Sequence, residues 1–128
     1  MKISLVLGID IGGTNTIYGF ITKDGTIVFQ EEILTNGDKS ISDLVDRISK
    51  RVENFFSKNQ QYSLFGIGIG APNGNYYTGK IQSPPNLSWG DIDIVKLFKH
   101  RFNCSVKLTN DANAAALGEK SFGLAKNM

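Results

Sequence analysis

Cysteine, histidine and tryptophan each occur only once in the 128 residues, and the scarcity of cysteine says most. Cys104 has no second thiol to pair with, so no internal disulfide is possible and a reducing, cytoplasmic setting is expected. A surplus of one charge is also missing. Fourteen Lys and Arg stand against twelve Asp and Glu, for a net charge of +2. The basic residues are scattered among acids, which argues against the footprint of a nucleic-acid binder. No apolar run approaches the roughly 20 residues that cross a bilayer, so no membrane partner is expected. The amino-terminal MKISLVLGIDIGG has one lysine and a short apolar run, but Asp10 interrupts it before a secretory signal could form. Internal repeats, low-complexity tracts and linkers are lacking, and a chain of this length buries one core. One domain is the expectation.

Hydrophobic patterning is clear. Ile3 to Ile11 is dominated by Ile, Leu and Val, as in a buried strand. Thr16 to Thr22 reads as a second strand, KDG (Lys23 to Gly25) as a hairpin turn, and Thr26 to Leu34 as a third strand. Ser40 caps an expected helix with Asp43 three residues on. Behind it Ile41, Leu44, Val45, Ile48, Val52, Phe55 and Phe56 form one apolar stripe, all read as core. Ser63 to Pro72 is a fourth strand with glycine at alternate positions, and Asn73 to Trp89 a long polar loop of the ordered, functional kind. Asp91 to Phe102 reads as a short helix, Ser105 to Thr109 as a fifth strand, and the alanine-rich NDANAAALGEKSFG as a final helix. The order β β β α β α β α makes the first three strands antiparallel and the last two parallel to the first. This α/β arrangement, a mixed five-stranded sheet with helices on its faces, is that of a ribonuclease H-like, or actin-like ATPase, lobe.

Two stretches carry chemistry. In LGIDIGGTNT, Asp10 ends the first strand, Gly12 and Gly13 allow close approach to backbone N–H groups and tolerate positive φ, and Thr14, Asn15 and Thr16 add side-chain donors. A phosphate could lie in such a nest, with a divalent cation between it and Asp10. A plain hairpin turn with a solvated Asp explains the same residues. The pattern is not a Walker or Rossmann loop, both of which need a helix there. In LTNDANAAALGE, Asn110 and Asp111 stand where a helix begins. Helix capping accounts for one of them. Alternatively, Asp111 accepts the proton of an attacking hydroxyl while Asn110 holds a neighbouring one. In the expected sheet, the first and fifth strands end at one edge, where open sheets bind ligands. Asp10 and Asp111 then line one crevice, a layout suited to phosphoryl transfer to a polyhydroxylated acceptor.

The motifs GIDIGGTNT, GIGIGAPNGNYYTGKIQSPPNLSW and LTNDANAAALGE, in this order and spacing, resemble the N-terminal lobe of the ROK family of bacterial sugar kinases, in particular its glucokinase-like members. The resemblance implies ATP-dependent phosphorylation of a hexose, glucose foremost, at its primary hydroxyl. It implies that Asp10, Gly12, Gly13, Thr14, Asn15 and Thr16 face ATP and Mg²⁺, with Asp10 toward the metal. Asp111 would be the base, and Asn110, Asn86, Pro72, Asn73 and Gly74 would hold the sugar. Many members have Lys where this chain has Asn15, and Gly where it has Asn73. The family continues into a second lobe with a structural Zn²⁺ site, and a homodimer is implied for the full-length protein. The 128-residue chain on its own is expected to be inactive.

Two rivals use the same fold. Some family members are sugar-responsive transcriptional regulators with a helix-turn-helix before the first strand. Here that strand starts within a few residues of Met1, and the expectation ranks the regulator below the kinase. An actin- or chaperone-like ATPase lobe would lack the sugar residues, and Asn110 and Asp111 beside PPNLSW speak against it.

Overall fold

The computed structural model describes residues 2–36, 40–71, 74–75, 80–81 and 93–109. Strand β1 (Ile3–Ile11) turns into β2 (Asn15–Ile21), and β2 into β3 (Ile27–Leu34). Helix α1 (Ile41–Lys58) crosses over to β4 (Tyr62–Gly70). Two short strands follow, β5 (Gly74–Asn75) and β6 (Lys80–Ile81), then α2 (Ile94–Arg101) and β7 (Ser105–Thr109). Five strands form one sheet in the order β3-β2-β1-β4-β7. The β1–β2 and β2–β3 pairs are antiparallel, and the β1–β4 and β4–β7 pairs are parallel. This is the mixed five-stranded sheet of a ribonuclease H-like lobe.

The antiparallel β5–β6 pair falls inside the segment read from sequence as one loop. Strands of two residues are too short to show an alternation of apolar and polar residues, so pattern reading misses them. The expected final helix lies outside the described residues.

Successive strand residues point to opposite faces of the sheet. Leu5, Leu7, Ile9 and Ile11 of β1 and Ile67 and Ile69 of β4 join the core, together with Leu44, Val45, Ile48 and Val52 of α1. The opposite face is nearly bare in the middle. Gly8 pairs with Gly19 on one side and Gly68 on the other, and Gly66 and Gly70 flank this row beside Val6 and Asp10. The alternating glycines of β4 are therefore one face of that strand, and its isoleucines are the other. Gly19 also permits a close strand approach, since a Cβ there would lie 2.8 Å from the Phe29 carbonyl oxygen.

The helix starts follow from their caps. Ser40 Oγ accepts the Asp43 N–H at 3.4 Å, with Asp43 in the first turn of α1. Asp93 accepts the Lys96 N–H at 3.1 Å and starts α2 within the longer span expected from sequence. Lys99, His100 and Arg101 fill the last turn of α2, where cations complement the helix dipole. Arg101 pairs with Asp46 and ties α2 to α1. Phe55 and Phe56 are half-buried at the rim of the core rather than inside it. Phe55 stacks on the buried Phe20 at 4.2 Å between centroids, and Phe56 meets Phe55 edge-on at 5.3 Å. Both lie in the last turn of α1, past its last buried position at Val52. Among the described residues, no helix is long and apolar enough to cross a membrane.

Candidate functional site

The corner between β1 and β2 gathers the first group of expected site residues. Gly12 N–H donates to the Asn15 carbonyl at 3.0 Å, so Gly13 and Thr14 form a two-residue tip. Gly12 and Gly13 are half-buried, while Thr14 and Asn15 are exposed. Asp10 is 6% exposed and lies on the glycine-bearing face of the sheet, next to Gly70 in register. The glycines are used differently from the expectation. Neither has positive φ, and among the described glycines only Gly25, at 90°, does. Gly12 is required by proximity instead: a Cβ there would sit 2.7 Å from the Asn15 carbonyl oxygen. Gly25 serves the KDG turn, where its N–H donates to the Thr22 carbonyl at 3.0 Å.

The fold also fixes one row across the sheet edge. Asp10 is in register with Gly70, and Gly70 with Thr109. With neighbouring strands about 4.8 Å apart, Asp10 and Thr109 are separated by about 10 Å, and the residue between them has no side chain. The three strands are parallel, so all three end at the same edge. The β5 backbone, which includes Gly74, lies against β7. Pro72, Asn73, Asn86, Asn110 and Asp111 lie outside the described residues.

Asp10 brings one buried carboxylate to the corner, and the described residues contain no cluster of three His, Cys, Asp or Glu able to hold a metal. Mg²⁺ is commonly bound by one or two carboxylates together with phosphate oxygens and water. Among the described residues, Asp10 would supply one carboxylate to such an ion, with the tip at Gly13 and Thr14 in the same corner.

Two further residues, Thr35 and Arg47, converge on this corner and were missed in the sequence. The Thr35 hydroxyl donates to the Gly12 carbonyl at 2.8 Å and lies 2.8 Å from the Thr16 hydroxyl. The Thr35 N–H donates to the Thr14 carbonyl at 2.8 Å. Arg47 donates to the Leu34 and Thr35 carbonyls at 2.6 and 2.8 Å and to the Asp43 carboxylate at 2.9 Å. Apart from the i,i+4 pair of Arg47 with Asp43, these contacts join positions 12 to 23 residues apart. No local pattern could reveal them.

A family model described as "ROK family" matches residues 6–128. The chain belongs to the ROK family. Its relatives fall into two functional groups. A xylose repressor of Bacillus spizizenii is 37% identical over 98% of this chain and 33% of its own length. A glucokinase of Halalkalibacterium halodurans is 35% identical over 95% of this chain and 39% of its own. In structure, the ROK family glucokinase of Streptomyces griseus in complex with glucose and AMPPNP superposes with a TM-score of 0.74 at 29% identity, covering 93% of this chain and 37% of that one. The chain therefore spans about a third of the length of the curated relatives it matches. The lower rank given to the regulator on sequence grounds is not upheld, because ROK repressors match this chain at least as well as ROK kinases.

Proposed function

We propose that this ROK chain is the N-terminal lobe of a two-lobe sugar kinase that moves the γ-phosphoryl group of ATP to the primary hydroxyl of a hexose, glucose foremost. The observation that carries the reading is the Asp10–Gly70–Thr109 row. Asn110 and Asp111 follow Thr109 directly, and chain length alone keeps the Asp111 Cα within about 7 Å of the Thr109 Cα. A carboxylate beside a phosphate nest and a second near the same edge can serve the two ends of one transfer. The S. griseus glucokinase, crystallised with glucose and an ATP analogue, supports the choice of substrates.

In this reading the tip at Gly13, Thr14 and Asn15 receives the phosphates, while Gly12 and Thr16, whose N–H and hydroxyl are bonded within the corner, shape it from behind. Asn110, Asn86, Pro72, Asn73 and Gly74 hold the sugar. Asp111 takes the proton of the primary hydroxyl as that oxygen bonds to the γ-phosphorus, and the bond to the β-phosphate oxygen breaks to release ADP. Asp10 would hold Mg²⁺, which when bound neutralises phosphate charge. A structural Zn²⁺ belongs to the second lobe, and the full-length protein acts in the cytoplasm as a homodimer.

The test is made in the full-length protein that carries this sequence. Asp111→Asn should lower kcat for glucose phosphorylation by at least about a hundredfold, the lower end of what general-base catalysis supplies, with glucose still bound. An unchanged kcat overturns the assignment. The repressor relatives favour a second reading, in which the same lobe senses sugar without transferring phosphate. Glucose binding by the wild-type protein with no ATP consumption would establish that reading instead.

A further inference from the structure

The contacts of Thr35 do more than pack a strand end. Thr35 is 1% exposed and Thr16 is fully buried. A threonine hydroxyl has one proton to give. The Thr35 proton goes to the Gly12 carbonyl, so its oxygen must accept from Thr16, and the relay runs from Thr16 O–H to Thr35 O–H to Gly12 C=O. Its direction has a consequence for the tip. Described peptide bonds are all trans, and in a trans peptide the C=O and N–H point opposite ways. Holding the Gly12 carbonyl toward Thr35 therefore turns the Gly13 N–H away from the end of β3. A peptide between two glycines has little steric resistance to rotation, so this hydrogen bond is what selects its orientation. Thr35 is fixed in turn. Its N–H is bonded to Thr14, and its carbonyl is gripped by Arg47 of α1, which also holds Leu34. Asn36, just beyond, takes the left-handed conformation with φ of 55°, one that asparagine tolerates better than most residues.

We propose that Thr35, backed by Arg47, is a positioning residue that sets the Gly12–Gly13 peptide so that its N–H faces the nucleotide phosphate. The inference rests on the kinase reading above, because it assigns the corner to phosphate. It concerns the hydroxyl in particular, since an apolar residue of the same shape would fill the site but could not orient the peptide.

Three variants of the full-length protein test it: Thr35→Val, Thr35→Ser and Arg47→Lys. Thr35→Val should raise the KM for ATP about tenfold, as expected for deletion of a buried hydrogen bond, and leave the KM for glucose unchanged. Thr35→Ser, which retains the hydroxyl, should restore wild-type behaviour. Arg47→Lys loses the planar fork that serves two carbonyls and should shift the ATP KM in the same direction by less. Amide exchange without nucleotide provides an independent readout: Gly12 to Asn15 should exchange faster in Thr35→Val, with the middle of β1 unaffected. If Thr35→Val fails to fold, Arg47→Lys carries both measurements. Unchanged tip exchange, or Thr35→Ser behaving like Thr35→Val, overturns the positioning role even if the protein is a kinase. A wild-type protein that binds no ATP, with the exchange difference intact, overturns the phosphate assignment and leaves only a structural anchor.

Discussion

Gly12 is where one atom decides most. The carbonyl oxygen of Asn15 occupies the space a Cβ would need, at 2.7 Å, and it is backbone that cannot swing aside. Gly12→Ala should therefore open the β1–β2 corner and destabilise the protein by about 1–3 kcal/mol, the usual cost of overpacking. A urea titration against wild type measures it, and an unchanged midpoint would show that the corner gives way easily. Tyr18 is a second site with a clear sign. It is 2% exposed, and its hydroxyl donates to Glu31 at 2.8 Å, where Arg51 also donates at 2.6 Å. Burial first, and then the Glu31 carboxylate, raise its pKa above the ordinary tyrosine value. In the unfolded chain Tyr18 titrates near pH 10, so its contribution is intact below about pH 10 and is lost as pH rises beyond that. Tyr18→Phe should flatten this alkaline loss, which stability measurements from about pH 8 to pH 11 would detect.

Helix α1 shows how far periodicity carries and where it stops. Its start at Ser40, its apolar stripe and its buried face follow from spacing alone, because one period of 3.6 residues decides which side chains meet the sheet. The same logic recovered β1 and β7 with their ends, since apolar runs bounded by turn residues leave few options. Periodicity did not predict Ser49, a polar residue on the buried face of α1. It is fully buried, and its hydroxyl has no partner among the described residues. Ser49→Ala removes a desolvated hydroxyl and adds the best helix former, so it should stabilise the protein by about 1 kcal/mol. A higher urea midpoint with unchanged slope would confirm this. A lower midpoint would mean that the hydroxyl is bonded after all. Part of the candidate corner was legible for a similar reason: Asp10, Gly12 and Gly13 fall within four residues and are compositionally odd. Thr35 and Arg47 gave no such signal, because their importance arises only when β3 and α1 are brought to the corner by the fold.

At the scale of the whole molecule, the described core is separate from the edge on which the proposed transfer depends. The sheet, two described helices and buried aliphatic residues form a self-consistent unit. The Asp10–Gly70–Thr109 row, by contrast, is an edge, and the relatives that match the chain are about three times its length. Phosphoryl transfer needs water kept from the phosphate and the acceptor held in line, and in the two-lobe reading proposed above that closure requires the second lobe. The purified 128-residue chain should therefore fold, with a cooperative urea transition, and still form no sugar phosphate from ATP and glucose above background. The full-length protein under the same conditions should turn over. Turnover by the short chain would show that a single lobe suffices and would remove the need for closure between two lobes.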